Sequence, residues 1–195
     1  VSRESAAPGG GSIAALAGSL GAALSSMVAN LTANRRGSEA VDAVLNQAAE
    51  KAQELKFQLA NGVDADTNAF NVYMEARRLP KATEEQKKRR LKAEQDGLKR
   101  AVQIPLQTAE ASLKAIEIAQ TVVQYGNPNS ITDVGVGAQM AYAGVKGGVY
   151  NVLINLKDIT DDAFVKRMKQ TCALLEEKAA AKLNTVLQRV EAKIL

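Results

Sequence analysis

The sequence predicts an all-α fold: one domain over residues 1–195, built as a bundle of long helices. Two observations carry this. Proline is scarce, four in 195 residues, and aromatics make up 4%, while the strong helix formers Ala, Leu, Lys, Glu and Gln dominate. Apolar residues recur at steps of three and four, and no segment alternates with the period of two that a half-buried strand requires. A chain of this length can bury a substantial single core.

Pro8-Gly9-Gly10-Gly11-Ser12 opens the first helix. Ser12 is its expected N-cap, with the hydroxyl accepting from the first free amides. The bare glycines let a ligand approach backbone amides, and the positive end of the helix favours a carboxylate or other anion there. A loop and cap with no ligand fits the same residues. From Gly11 to Leu31 the chain carries no charge for 21 residues, long enough to span a membrane. Ser12, Ser19, Ser25, Ser26 and Asn30 make it only modestly apolar, and it lacks aromatic anchors and a basic n-region, so neither a span nor a signal peptide is expected. Ala14, Gly18, Ala22 and Ser26 recur every four residues, a stripe along which another helix can pack closely. A buried central helix is expected, with a subunit interface as another use of the stripe.

The second helix is expected from about Ser38 to Arg78, on Val41, Leu45, Ala48, Ala52, Leu55, Leu59, Phe70 and Tyr73. Leu79-Pro80-Lys81-Ala82 breaks it, and Thr83-Glu84-Glu85-Gln86 is a capping box that starts a third. That helix carries Lys87-Lys88-Arg89-Arg90, a basic run expected to be a solvated face. Pro105 should kink or end it near Gln103, with a further helix reaching Tyr125. Gly126-Asn127-Pro128-Asn129-Ser130 reads as a loop. Another helix should run from Thr132 to Leu156, and Thr160-Asp161-Asp162 should cap a last one that reaches the C-terminus.

Composition excludes several chemistries. The absence of histidine removes the usual zinc ligand and the usual neutral-pH acid/base, and the single cysteine, Cys172, cannot form an internal disulfide. Catalysis must rest on carboxylates, amides, hydroxyls, lysine and backbone groups. A net charge of +4 and a pI near 9.2 suit an anionic ligand but are too weak to argue for nucleic acid. Missing signals and an unpaired thiol point to the cytoplasm.

Polar groups that interrupt apolar faces are the candidate chemistry. The seam of the second helix, continued past Leu59, runs through Val63, Asp66, Phe70, Tyr73 and Arg77, so Asp66 stands where the pattern expects core. A carboxylate there needs a partner or a purpose: proton transfer if burial dominates, a fixed charge if a cation is near. Asp64, about 200° around the helix, cannot share that face, so the two do not form a dyad. In the later helix Met140, Gly144, Gly147, Gly148, Asn151 and Asn155 share a side, with glycines clearing space beside two amides. Those amides can hold a heterocycle or pair with another helix's backbone. Asp133, in the first turn, suits capping or the helix dipole.

Pro8-Gly9-Gly10-Gly11-Ser12, Val63-Asp64-Ala65-Asp66 with Ala69-Phe70, Arg78-Leu79-Pro80-Lys81, Asp133-Val134-Gly135-Val136-Gly137-Ala138, Asn151-Val152-Leu153-Ile154-Asn155-Leu156 and Asp158-Ile159-Thr160 together resemble the cyclodeaminase domain of formiminotransferase-cyclodeaminase, in order over essentially the whole chain. The resemblance implies an all-helical dimer or larger oligomer. The implied reaction turns 5-formiminotetrahydrofolate into 5,10-methenyltetrahydrofolate and ammonia, with no cofactor and no metal beyond the folate substrate. Methenyltetrahydrofolate cyclohydrolases are close relatives of the same domain. The family usually has a further N-terminal helix before the glycine loop, and the formiminotransferase domain is not among the matched segments. The chain reads as a stand-alone enzyme or part of a longer one, with the transferase a separate or fused partner.

The roles so implied are as follows. Asp66 moves protons to the leaving nitrogen and stabilises the cation, with Asp64 second. Asn151 and Asn155 hold the pterin or formimino group, Gly9, Gly10, Gly11 and Ser12 form the floor, and Asp133 joins the substrate contacts. Arg35, Arg36, Arg78 and Lys81 are candidates for the glutamate tail of a folate that can be polyglutamylated. Two other classes compete: a non-catalytic helical oligomerisation module, which leaves Asp66 beside a triple glycine unexplained, and an acidic-partner or nucleic-acid binder using Lys87 to Arg90, which predicts steep salt dependence. Neither nucleic acid nor membrane is expected as a partner.

Overall fold

The computed structural model describes Glu4, residues 8–33 and residues 38–195. Among the described residues five helices make the fold: α1 (Gly10–Thr32), α2 (Glu39–Arg77), α3 (Glu84–Tyr125), α4 (Ile131–Asn155) and α5 (Asp162–Ile194). Short 3-10 turns at Pro128–Ser130 and Leu156–Asp158 join the last three. There is no strand among the described residues. α1 packs on α2 and α4, α3 closes the other side of that pair, and α5 lies against α3 and α4. The result is a four-helix bundle with a fifth helix laid along one edge.

Local chemistry sets the helix ends. Thr83 Oγ1 accepts from Gln86 N at 3.2 Å while Gln86 Oε1 accepts from Thr83 N at 3.2 Å, the expected reciprocal box at the start of α3. Asp161 caps α5 by accepting from Phe164 N at 2.9 Å, and Lys99 Nζ lies 2.7 Å from its other oxygen. The lysine bond, with the Phe164 amide next, holds the Asp161 carboxyl below its ordinary range. Lys87 pairs with Glu84 in solvent, as a solvated basic face should, while Arg90 pairs with Glu94 at a partly buried position, each at 2.7 Å.

Three expectations are corrected. Pro105 neither ends nor splits its helix: α3 runs unbroken for 42 residues. Proline has no N–H, so the Ala101 carbonyl one turn back loses its helical donor, and Asn155 Nδ2 of α4 supplies the bond instead at 2.8 Å. The seam of α2 also turns: beyond Leu59 the buried positions are Ala69 and Ala76, while Phe70 is 36% exposed and Arg77 lies in solvent. Asp66 therefore sits half-buried on the flank facing α1 rather than on the core line.

α1 is the third case. Its small residues Ala14, Gly18, Ala22 and Ser26 are buried, as expected. A Cβ on Gly18 would stand on the Ser112 hydroxyl of α3, and one on Gly21 would meet the Gly137 carbonyl of α4 at 2.5 Å, so glycine sets how closely these helices cross. By length and hydropathy α1 could cross a membrane, yet 67% of its most apolar window is buried within this fold. The helix is not buried all round, however. Ile13, Leu16, Leu20, Met27 and Leu31 form an outward stripe, each 37–47% exposed. Val136, Tyr150 and Ile154 of neighbouring α4 are also more than half exposed.

Candidate active site

Three serines of α1 lock it antiparallel to α2. Ser26 Oγ donates to the Ala49 carbonyl at 3.3 Å, Ser19 Oγ to Lys56 at 2.9 Å and Ser12 Oγ to Val63 at 3.1 Å. Each step of seven residues in α1 is matched by seven in α2, two helical turns on both. This ladder brings the N-terminus of α1 beside Asp66. The Ser12 hydroxyl, 1% exposed, is also 3.0 Å from Asp66 Oδ2 and 3.4 Å from Thr67 Oγ1. Ser12 is thus not the N-cap the sequence suggests. Gly9 takes that position, accepting from Ile13 N at 3.1 Å through its carbonyl, and Ser12 lies inside the first turn with its side chain turned to α2.

Gly11 has a steric role in the site. A Cβ there would overlap the Asp66 carboxyl group, so only glycine lets that carboxylate lie against the α1 backbone. The first-turn amides of a helix carry partial positive charge, which attracts the carboxylate. Asn151 of α4 approaches from the other side, its Nδ2 3.4 Å from where a Cβ on Gly10 would stand. One of its N–H groups is committed to the Gly147 carbonyl at 2.7 Å. Gly9, Gly10, Gly11, Ser12, Asp66 and Asn151 therefore converge around one helix end.

The other expected site residues are dispersed. Asn155 follows Asn151 by one turn, but its amide nitrogen serves the Ala101 carbonyl. Asp64 is exposed and points away from Asp66. Asp133 lies 18 residues before Asn151, roughly 27 Å along α4 and one turn before Gly137, which packs on Gly21 and Leu24 of mid-α1. Arg78 is exposed at the C-terminal cap of α2, roughly 18 Å along that helix from Asp66. Exposed Lys81 shares an open depression with Lys87 and Arg90. Arg35 and Arg36 lie outside the described residues.

A groove of about 600 Å³ between α2 and α3, lined by Lys51, Glu54, Lys114 and Glu117 among others, holds none of the expected site residues. Among the described residues no three His, Cys, Asp or Glu side chains gather as a metal site would require. Cys172 is buried, and burial, followed by the Glu176 charge, pushes its thiol up to about 11, so it is no nucleophile at neutral pH. Sequence reasoning missed Thr67 and the structural use of the serines. The heptad spacing of Ser12, Ser19 and Ser26 was the available signal.

The chain is similar in sequence and fold to known proteins. The sequence profile of the formiminotransferase-cyclodeaminase family matches residues 1–174. The chain is 42% identical over 193 residues to formimidoyltransferase-cyclodeaminase of Sus scrofa, covering 99% of this chain and 36% of that protein. It is 39% identical over 188 residues to methenyltetrahydrofolate cyclohydrolase of Methylorubrum extorquens, covering 96% of this chain and 90% of that one. The crystal structure of formiminotetrahydrofolate cyclodeaminase from Thermotoga maritima superimposes with a TM-score of 0.89 at 26% identity, over 100% of this chain and 93% of that one. The chain thus spans about a third of the length of the formimidoyltransferase-cyclodeaminases it matches. With the helical fold, the glycine-fronted helix end and these likenesses in agreement, the chain belongs to the formiminotransferase-cyclodeaminase family.

Proposed function

We propose that this chain is a formimidoyltetrahydrofolate cyclodeaminase, converting 5-formiminotetrahydrofolate to 5,10-methenyltetrahydrofolate and ammonia. The observation that carries the reading is the Asp66 carboxylate, held by Ser12 against Gly11 in the first turn of α1 with Asn151 near Gly10. The folate nitrogen on the benzoyl side attacks the formimino carbon and closes a five-membered ring. The formimino group enters as its protonated amidinium, so the one proton that the attacking nitrogen gives up completes the departing ammonia, and a single carboxylate can take it and deliver it as ammonia leaves. The same negative charge then faces the methenyl cation. Ring closure is intramolecular, so holding one rotamer supplies much of the rate, and Asn151 and the Gly9–Ser12 turn are the groups that hold it. Asp64, Asn155 and Asp133 have weaker parts in this scheme, each lying away from the carboxylate or already bonded elsewhere.

Cyclohydrolase activity is the second reading, favoured by the Methylorubrum extorquens relative, of which the chain covers 90%. Water there attacks the carbon that ammonia leaves. Parallel assays with formimino- and methenyl-tetrahydrofolate decide between them: ammonia release from the first supports the deaminase, and turnover of the second alone supports the cyclohydrolase. Arg78 and Lys81, with Lys87 and Arg90 beside Lys81, are assigned to the glutamate tail. Affinity should then rise with glutamate number and fall with salt. The outward apolar stripes of α1 and α4 are assigned to a second copy of the chain, since one uncharged stripe against its twin makes an isologous contact with no buried charge.

A further inference from the structure

We infer that the Ser12 hydroxyl is a two-position hydrogen-bond rotor that follows the protonation of Asp66, a positioning residue for the proton transfer; this rests on the proposed catalytic role of Asp66. A serine hydroxyl has one hydrogen and can accept through its lone pairs. Ser12 Oγ stands 3.0 Å from Asp66 Oδ2 and 3.1 Å from the Val63 carbonyl, two acceptors at nearly equal reach for that one hydrogen. With Asp66 ionised, the hydroxyl donates to Oδ2. When Asp66 takes a proton on Oδ2, the carboxylic acid becomes the donor, and Ser12 accepts from it while its own hydrogen swings to Val63 O. Every step exchanges one hydrogen bond for another, and no charge or polar atom is stranded.

Thr67 completes the arrangement. Its hydroxyl lies 3.4 Å from Ser12 Oγ and 3.5 Å from the Val63 carbonyl, so it can donate to that carbonyl when Ser12 turns to Asp66 and to Ser12 Oγ otherwise. The carbonyl keeps a donor in both states. Ser12 is 1% exposed, so water does not take over its role. Because Asp66 also lies against Gly11, with Oδ1 the atom nearest to where a Cβ there would stand, the hydroxyl fixes the carboxyl plane, and Oδ2 is the oxygen that exchanges its proton with the reacting nitrogens. The elements around Asp66 thus supply it with a donor in one protonation state and an acceptor in the other, as a group that must both accept and return a proton requires.

A double-mutant cycle on the full chain tests this, with 5-formiminotetrahydrofolate as substrate. Ser12→Ala should lower kcat about ten- to thirtyfold with KM changed less than threefold, and Ser12→Thr, which keeps the hydroxyl, should recover most of the rate. In an Asp66→Asn background, Ser12→Ala should cost less than twofold more. Thermal melts accompany each variant. Should Ser12→Thr fail to fold, the cycle between Ala and Asn still decides the matter. An equal kcat loss in both backgrounds, or a Ser12→Ala effect confined to KM or to the melt, overturns the rotor while Asp66 keeps its role. Full turnover by Asp66→Asn overturns both.

Discussion

Asn155 Nδ2 donates to the Ala101 carbonyl, the acceptor that Pro105 leaves without a helical partner. One helix thus repairs a defect built into another, and α3 stays continuous where it passes the site. Asn155→Ala should strand a partly buried carbonyl and lower unfolding free energy by about 1–2 kcal/mol. In a Pro105→Ala background, where residue 105 regains its N–H, the same substitution should cost under half as much. Urea unfolding of the four proteins checks this.

Asp66→Asn keeps the shape and removes the titrating group. Turnover should fall about a hundredfold or more with folate binding retained, whereas Asp64→Asn, changing an exposed side chain, should cost under threefold. Gly11→Ala should mimic the first effect in part: its methyl must displace the carboxyl group, and a kcat loss of tenfold or more is expected. Steady-state kinetics beside a binding titration separate these outcomes.

Gly18 faces Ser112 and Leu59 across the middle of the bundle, and the Ser112 hydroxyl is buried with no hydrogen-bond partner among the described residues. Gly18→Ala should cost about 1–3 kcal/mol and Gly18→Leu more, through overpacking. Ser112→Ala should be neutral or stabilising, since it removes a hydroxyl that gains nothing from burial. Thermal melts that ranked these in the opposite order would mean that α1 and α3 separate easily.

Leu20 lies mid-stripe on the outward face of α1 and is 47% exposed. Leu20→Lys should turn the proposed dimer into monomers while moving the monomer's helical signal little. Sedimentation velocity at several concentrations checks it, and an unchanged sedimentation coefficient would assign the stripe to another partner.

Much of this fold was readable from local signals. Thr83 to Gln86, Asp161 and the Leu79 to Ala82 break act within a turn of themselves, and each end falls within two residues of expectation. What escaped depends on distant partners. Pro105 looked like a helix end because its compensation comes from Asn155, 54 residues beyond Ala101. Ser12 looked like an N-cap because its acceptors, Val63 and Asp66, lie on another helix. Asp66 itself stood out by breaking an apolar period. The direction it faces could be read only once the serine ladder was seen as a register between two helices.

The unequal helix lengths have a consequence for motion. α2 and α3 have 39 and 42 residues, against 23 and 25 for α1 and α4. Past Asp66 the α2–α3 hairpin runs on for roughly 17 Å to Arg77 beyond the end of α1, with Ala69 and Ala76 the buried positions of α2 along it. Backbone amides at the tip of that arm should exchange with deuterium orders of magnitude faster than those around Leu59, Ile116 and Val145, which are fully buried. The boundary between slow and fast exchange should fall past Tyr73, which packs on the main core, and Gln95, whose amide donates to the Asp158 carbonyl at 2.9 Å, so the carboxylate stands on the anchored side of a cantilevered tip.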